Sequence, residues 1–341
     1  MTMLELEKAF YRRKVLIAGG LGFIGSSLAR RLVEFGADVH LLDSLLPEGG
    51  ANNFNIAGLE GRLAVTVGDI GDRGIIREAL AGQDFLFNLA GRTSHLDSLR
   101  DPQADLTDNV TAQLSLLEAC RNANPSIRIV YTGTRQVYGR PTFLPVDETH
   151  PLAPLDFNAV HKLAGEGYHI LYHKIHGLHV ACLRLTNVYG PRMRVKDARQ
   201  GFLGWWIRLA LEGRQLPVYG DGKRIRDFNF VEDVVGACLL AAIRPEAEGR
   251  IFNLGSGEPV SLLDLAQQVI TAAGSGSAAL IKYPPERERI EIGDFQADFT
   301  RIRSGLGWQP RARLQEGITA TLDYYRENRG KYWEPESPSS I

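Results

Sequence analysis

Two rhythms of apolar and polar positions alternate along the chain. Short apolar runs occur at Lys14-Val-Leu-Ile-Ala18, Val39-His-Leu-Leu-Asp43, Leu63-Ala-Val-Thr-Val-Gly-Asp69, Phe85-Leu-Phe-Asn-Leu-Ala90, Arg128-Ile-Val-Tyr-Thr132 and His179-Val-Ala-Cys-Leu-Arg184, and each reads as a strand. Between them the spacing is helical, over 23–35, 73–80, 105–122 and 157–176. Strands alternating with helices predict an α/β fold, a parallel sheet with right-handed crossovers. After Asn187 the rhythm breaks, and a smaller α/β lobe begins with an aromatic-rich helix over 202–211. Segments 228–240 and 251–255 return to the large domain, 261–274 forms a further amphipathic helix, and the Pro-, Ser- and Glu-rich tail over 331–341 reads as disordered. The expected division is a domain over 12–190 with returning segments near 229–255, and a lobe over 191–228 and 256–330.

The first strand runs into Gly19-Gly-Leu-Gly22-Phe23-Ile24-Gly25 and then into a helix. Gly19 permits a tight reversal, Gly22 lets a pyrophosphate approach the backbone, and Gly25 allows close contact of helix and strand. The helix N-terminus then faces the anion. Asp43 ends the second strand about 20 residues beyond the glycines, where an acid grips an adenosine ribose. This is a Rossmann doubly wound arrangement, and Asp43, repelling a 2′-phosphate, favours NAD over NADP. Asp69, with Ile70, either contacts adenine or caps the helix that follows.

Composition narrows the partners. A chain of 341 residues with net charge −1 and no basic stripe is no nucleic-acid binder, and no apolar run reaches the ~20 residues that span a bilayer. The first thirteen residues lack the order of a secretory leader, and Cys120, Cys182 and Cys238 stand far apart in apolar segments, so a cytoplasmic protein without a metal centre is expected.

The ordered motifs Gly19-x-x-Gly22-x-x-Gly25, Asp69-Ile70, Asn88-Leu89-Ala90-Gly91, Ser94-His95, Val137-Tyr-Gly139, Lys162-Leu-Ala-Gly-Glu166, Arg184-Leu-Thr-Asn187-Val-Tyr-Gly-Pro191, Arg226-Asp-Phe228 and Asn253-Leu-Gly-Ser-Gly257 carry a resemblance over roughly 13–325. The chain resembles the extended short-chain dehydrogenase/reductases that act on nucleotide-diphosphate sugars, the epimerase and dehydratase group. The resemblance implies hydride transfer from a sugar carbon, usually C4, to NAD held by the glycine turn, Asp43, Leu89, Ala90, Gly91, Asn109 and Lys162. It also implies a Tyr base four residues before the Lys, on one helix face with it, and a Ser or Thr bonding the reacting hydroxyl. Thr134 and Lys162 match, but Asn158 stands at the Tyr position, and an amide cannot take a proton from an alcohol near neutral pH. Three accounts stay open: another base, His95 or His161; Asn158 as a positioning group with a relayed proton; or a protein that binds without turnover.

The family's dehydratases carry Asp and Glu after the Thr. Here Arg135 and Gln136 follow it, which counts against a dehydratase or decarboxylase-type lyase and leaves redox-neutral epimerisation. Arg135 pairs with either a sugar carboxylate or a surface acid. By resemblance, Arg226 contacts the diphosphate and Asn187 the phosphate or sugar, while the alternative for Arg226 is a salt bridge to Asp227 or a neighbour. Arg92, Arg192, Arg287 and Arg289 are further candidates for the substrate, although 286–289 also reads as a solvated charge run and 192–199 as a solvated loop. The helices over 105–122 and 157–176 occupy the places where relatives form a dimer bundle, so a homodimer is expected, although their apolar faces equally suit burial in a monomer.

Overall fold

The computed structural model describes residues 3–46, 49–199 and 201–333. Its strands are β1 (Lys14–Ala18), β2 (Asp38–Asp43), β3 (Leu63–Val67), β4 (Phe85–Asn88), β5 (Arg128–Thr134), β6 (His179–Leu185), β7 (Asn187–Tyr189), β8 (Gln215–Tyr219), β9 (Ile225–Arg226), β10 (Phe228–Phe230), β11 (Arg250–Asn253), β12 (Val260–Ser261) and β13 (Ser277–Ile281). A seven-stranded sheet has the order β11-β6-β5-β4-β1-β2-β3, and every pair in it is parallel. The order reverses between β1 and β4, the switch point at which open α/β sheets form their crevice.

The sheet is covered on both faces, as a parallel sheet requires. Val15 and Ile17 of β1 point into one core, with Leu28 and Leu32 of helix Phe23–Glu34 and Val234 and Cys238 of helix Val231–Ile243. Leu16 and Ala18 point into the other, with Ile76 of helix Arg73–Ala79 and Leu116, Leu117 and Cys120 of helix Ala112–Ala123. Ile302, Leu306 and Trp308 also join the first core, whereas helices Phe202–Leu211, Leu262–Ala273 and Leu314–Asn328 build the separate core of the lobe.

Helix Phe157–His176 forms over the predicted residues, capped by Asp156, whose side chain accepts from Ala159 N, and ended by left-handed Gly177. The helix predicted over 105–122 is interrupted. Pro102–Leu106 passes through a π turn at Thr107–Thr111 before Ala112–Ala123 resumes. A helix not foreseen, Met3–Phe10, seats Phe10 against Phe85 and Phe87 at ring-centroid distances of 4.9 and 6.3 Å. Full burial of such a ring contributes about 1.5–3 kcal/mol, which explains why a polar-looking leader is ordered. The disordered tail expected over 331–341 is corrected at its start, because Trp333 is buried in the lobe core; residues 334–341 lie outside the described residues.

Candidate active site

One cleft of ≈ 630 Å³ runs from the glycine turn to the lobe. Its first wall is backbone. Gly19 has a φ of +79°, and a Cβ on Gly25 would stand 2.2 Å from the Gly19 carbonyl oxygen, so helix and turn touch where only glycine fits. Gly22 is the N-cap of helix Phe23–Glu34, and no side chain caps it, which leaves that helix end open to an anion. Asp43 is buried and oriented by Leu21 N and Leu45 N, each donating at 3.0 Å. Gly19, Gly22, Phe23, Ile24, Gly25, Asp43, Asp69, Ile70, Leu89, Ala90 and Gly91 all line the cleft. Asp69 does not cap the next helix. Asp72 does, accepting from Gly74 N and Ile75 N, while Asp69 accepts from Gly71 N.

The second wall is made of side chains held from behind. Gly91 brings the backbone close to two of them, since a Cβ there would meet Asn109 Oδ1 at 2.3 Å and Lys162 Nζ at 2.8 Å. Asn109 therefore stands behind Gly91 rather than on the cleft wall, and its buried Oδ1 has no partner. Lys162 lines the cleft with its ammonium 5.7 Å from the Tyr131 ring centroid. Burial pushes the lysine down to about 8 against the raising influence of Asp105.

Asp105, 1 % exposed, holds this wall together. Its carboxylate accepts from Asn109 Nδ2 at 3.0 Å and Asn158 Nδ2 at 2.9 Å, and bonds His161 Nδ1 at 2.7 Å. Asn158 Nδ2 also donates to the Arg92 carbonyl at 2.9 Å. Asn158 thus lines the cleft as a fixed amide. His161 is corrected as a candidate base: its ring faces Asp105 and does not reach the cleft wall. His95 does reach it. Ser94 caps the helix His95–Arg100 that begins there, and His95 Nδ1 bonds the buried Asp156 carboxylate at 3.0 Å. Burial alone would raise the Asp156 carboxyl, but the bond and charge of His95 hold it below its ordinary value.

Thr134, Arg135 and Gln136 follow from the end of β5, where the Thr134 hydroxyl accepts from Gln136 N at 3.2 Å. A buried fork fixes this turn to the Lys162 helix. Glu166 accepts from Arg184 Nε at 2.9 Å and Nη2 at 2.6 Å, and Arg184 Nη1 donates to the Tyr138 hydroxyl at 2.7 Å. On the lobe side, Asn187, Arg226, Arg287, Tyr219 and Tyr283 line the cleft, the two tyrosines stacked with centroids 5.2 Å apart. Arg226 ion-pairs with Glu291 and donates to the Ile225 and Gly293 carbonyls.

Two expected substrate contacts are elsewhere. Arg192, left-handed at φ +73°, turns its guanidinium to Ser27 Oγ and the Tyr324 ring, away from the cleft. Arg289 is exposed at the end of helix Pro285–Arg289 and is not on the wall. Arg92 lines the cleft but is paired with Asp108 at 2.5 Å. The positions that sequence reasoning missed are Asp105 and Asp156. Their signals were slight: Asp105 lies one helical turn before Asn109, and Asp156 precedes a helix in the N-cap place.

Residues 15–255 match the model of the NAD dependent epimerase/dehydratase family. The chain belongs to that family. It is 34 % identical over 320 residues to a UDP-glucose 4-epimerase of Mycolicibacterium smegmatis, covering 92 % of this chain and 98 % of the relative. It is 32 % identical over 330 residues to a dTDP-glucose 4,6-dehydratase of Streptomyces niveus, covering 94 % and 95 %. An epimerase structure from Methanothermobacter thermautotrophicus superposes with a TM-score of 0.90 at 26 % identity, covering 96 % of each chain. NAD is the cofactor of this epimerase/dehydratase, and the cleft fits it: an uncapped helix end behind glycines, an oriented Asp43, and a Lys162 ammonium that makes no hydrogen bond among the described residues.

Proposed function

We propose that the protein is an NAD-dependent nucleotide-diphosphate-sugar epimerase that oxidises and re-reduces one sugar carbon, with His95 as its base. The observation that carries this reading is the His95–Asp156 pair on the cleft wall. A carboxylate on Nδ1 fixes the orientation of the imidazole, leaving Nε2 as the acceptor for a hydroxyl proton. Bound NAD supplies a hydride acceptor that can give the hydride back. Thr134 orients the reacting hydroxyl, His95 takes its proton and later returns it, and Lys162 holds the nicotinamide ribose. Asn158, with Nδ2 committed to Asp105 and the Arg92 carbonyl, has only Oδ1 to offer and positions the substrate. Arg135 and Gln136, where dehydratases carry acids, supply no group to eliminate a hydroxyl. The lobe built on helices Phe202–Leu211, Leu262–Ala273 and Leu314–Asn328 receives the nucleotide, with Arg287 and, beside it on the cleft, Asn187 and Arg226 toward the diphosphate.

The test uses NAD-loaded protein and nucleotide-diphosphate hexoses deuterated at C4. The expected result is the epimer with its deuterium retained and a transient reduced-nicotinamide absorbance, because the hydride leaves and returns to one carbon. Loss of label to water, or binding without turnover across the panel, rules the reading out.

The assembly we propose is a cytoplasmic homodimer. Phe157, Val160, Leu171 and Ile175, the last 68 % exposed, lie at helical spacing on one face of helix Phe157–His176. Three buried free cysteines suit a reducing compartment. Sedimentation of Ile175→Glu should give a monomer where the parent gives a dimer.

A further inference from the structure

Arg135 is a cation without a counter-ion among the described residues. It opens the short turn Arg135–Tyr138 directly after Thr134, lines the cleft, and is 9 % exposed. Its Nη2 donates to Asn187 Oδ1 at 3.1 Å, and its guanidinium carbon lies 5.0 Å from the Phe295 ring centroid. Nη1 is buried with no hydrogen-bond partner, and no carboxylate among the described residues is within ion-pair distance of it. Neighbouring charge makes matters worse. Burial and then the repulsion of Arg226 push the Arg135 guanidinium down to about 9, while the acids that offset it are already engaged, Glu291 by Arg226 and Asp227 by Ser256 and Ala297 N. Beside it on the cleft, Gln136 Oε1 is a second buried polar atom without a partner. Folded proteins pair nearly all such groups, and an unpaired buried charge is strongly unfavourable, so two adjacent orphans in a cleft mark a ligand's place.

Resting on the epimerase reading above, we propose that the substrate carries a carboxylate on its sugar, a nucleotide-diphosphate hexuronate, and that Arg135 pairs with that carboxylate. The guanidinium is a planar fork that matches a carboxylate, and Phe295 behind it keeps water away. Gln136 completes the recognition, accepting from a ring hydroxyl or, with its amide turned over, donating to the carboxylate. A neutral hexose leaves the Nη1 donor unmet. An acid at either position would repel an anionic sugar, and this chain has neither. The diphosphate is the other source of anionic oxygen near Arg135, and in the proposed pose it lies on the lobe side toward Arg287, because the Arg226 guanidinium is held by Glu291. Thr134, the neighbour of Arg135, sets the guanidinium at the sugar end.

The test titrates NAD-loaded protein with UDP, UDP-glucose and UDP-glucuronate, and with the thymidine counterparts, by calorimetry. The hexuronate should bind at least about tenfold more tightly than the hexose. Arg135→Gln should abolish that preference while leaving nucleoside diphosphate and hexose affinities within about threefold, and Arg135→Lys should restore part of it. Retained NAD binding shows that each variant is folded. A parent that binds hexose as tightly as hexuronate overturns the carboxylate inference and leaves epimerisation standing. Equal loss of all three ligands in Arg135→Gln assigns the residue to the diphosphate and overturns it as well. If no nucleotide sugar binds at all, the epimerase reading itself falls, and this inference with it.

Discussion

The glycine-turn wall of the cleft is backbone, placed by residues within one βα unit, whereas the wall that carries Asn158 and Lys162 is side chain, placed by partners from distant segments. Gly19, Gly22 and Gly25 work by what they lack, and their spacing alone sets the turn. Asn158 and His161 are set by Asp105, 53 and 56 residues away, and His95 by Asp156, 61 residues away. A site made of backbone tolerates almost no change at a few positions. A site made of side chains tolerates replacement of a wall residue if the supporting carboxylates accept another donor, and here the amide of Asn158 is the donor that Asp105 accepts from.

The sharpest break of the comparison lies within the turn itself. Gly25→Val puts carbon 2.2 Å from the Gly19 carbonyl and 2.9 Å from Gly20 Cα, so the turn must open. NAD affinity should fall more than ~100-fold, with a lowered Tm of the free protein, as expected for overpacking. Gly22→Ala is the matched control. Its Cβ meets only the Gly19 carbonyl oxygen, at 3.3 Å, so the free protein should keep its Tm while NAD binding weakens. Differential scanning fluorimetry with and without NAD separates the two, and equal destabilisation of both free proteins would remove the distinction between a packing glycine and a ligand glycine.

The two histidine–aspartate pairs offer the next test, because they share chemistry and differ in place. His95→Ala should lower kcat about 10²–10⁴-fold with KM little changed, the size expected for loss of a general base. His161→Ala removes one of the groups around the Asp105 carboxylate behind the wall, so stability should fall by about 1–3 kcal/mol and kcat should change far less. Steady-state kinetics beside urea titrations read both quantities. The reverse pattern would move the proton chemistry to the buried pair.

Legibility in the sequence follows the same division. The strands, the glycine turn, Asp43 and helix Phe157–His176 rest on local periodicity and capping, and the chain spells those out within a few residues. The π turn at Thr107–Thr111 was not legible, because its residues also suit an ordinary helix; it precedes Ala112 and contains Asn109, which packs behind Gly91. Arg192 was misplaced for a related reason. A basic run beside Gly-Pro reads alike whether it faces a ligand or a neighbouring helix, and its left-handed backbone decides between them. Glu166 and Arg184 were visible as motif letters, but that they form a buried fork emerges only when β6 and the long helix are brought together.

Lys162 stands on the side-chain wall against the backbone of Gly91 and gives the most specific effect. Its folded form releases the proton near 8, because burial disfavours the charge, whereas an unfolded lysine holds its proton to about 10.5. Between those values the unfolded chain binds the additional proton, so stability must rise with pH across that window and Lys162 contributes no slope below it. In Lys162→Met that contribution is absent. The difference in unfolding free energy, parent minus variant, should therefore be flat below pH 8 and climb by about 1 kcal/mol per pH unit above it, measured by urea titration at matched ionic strength. Saturating NAD should shift the onset upward, since hydroxyls bonded to the ammonium favour its charged form. A difference that stays flat to pH 10 with and without NAD would mean that the folded protein never strips the proton from Nζ, and that the cleft around Gly91 and Tyr131 solvates the charge better than its burial implies.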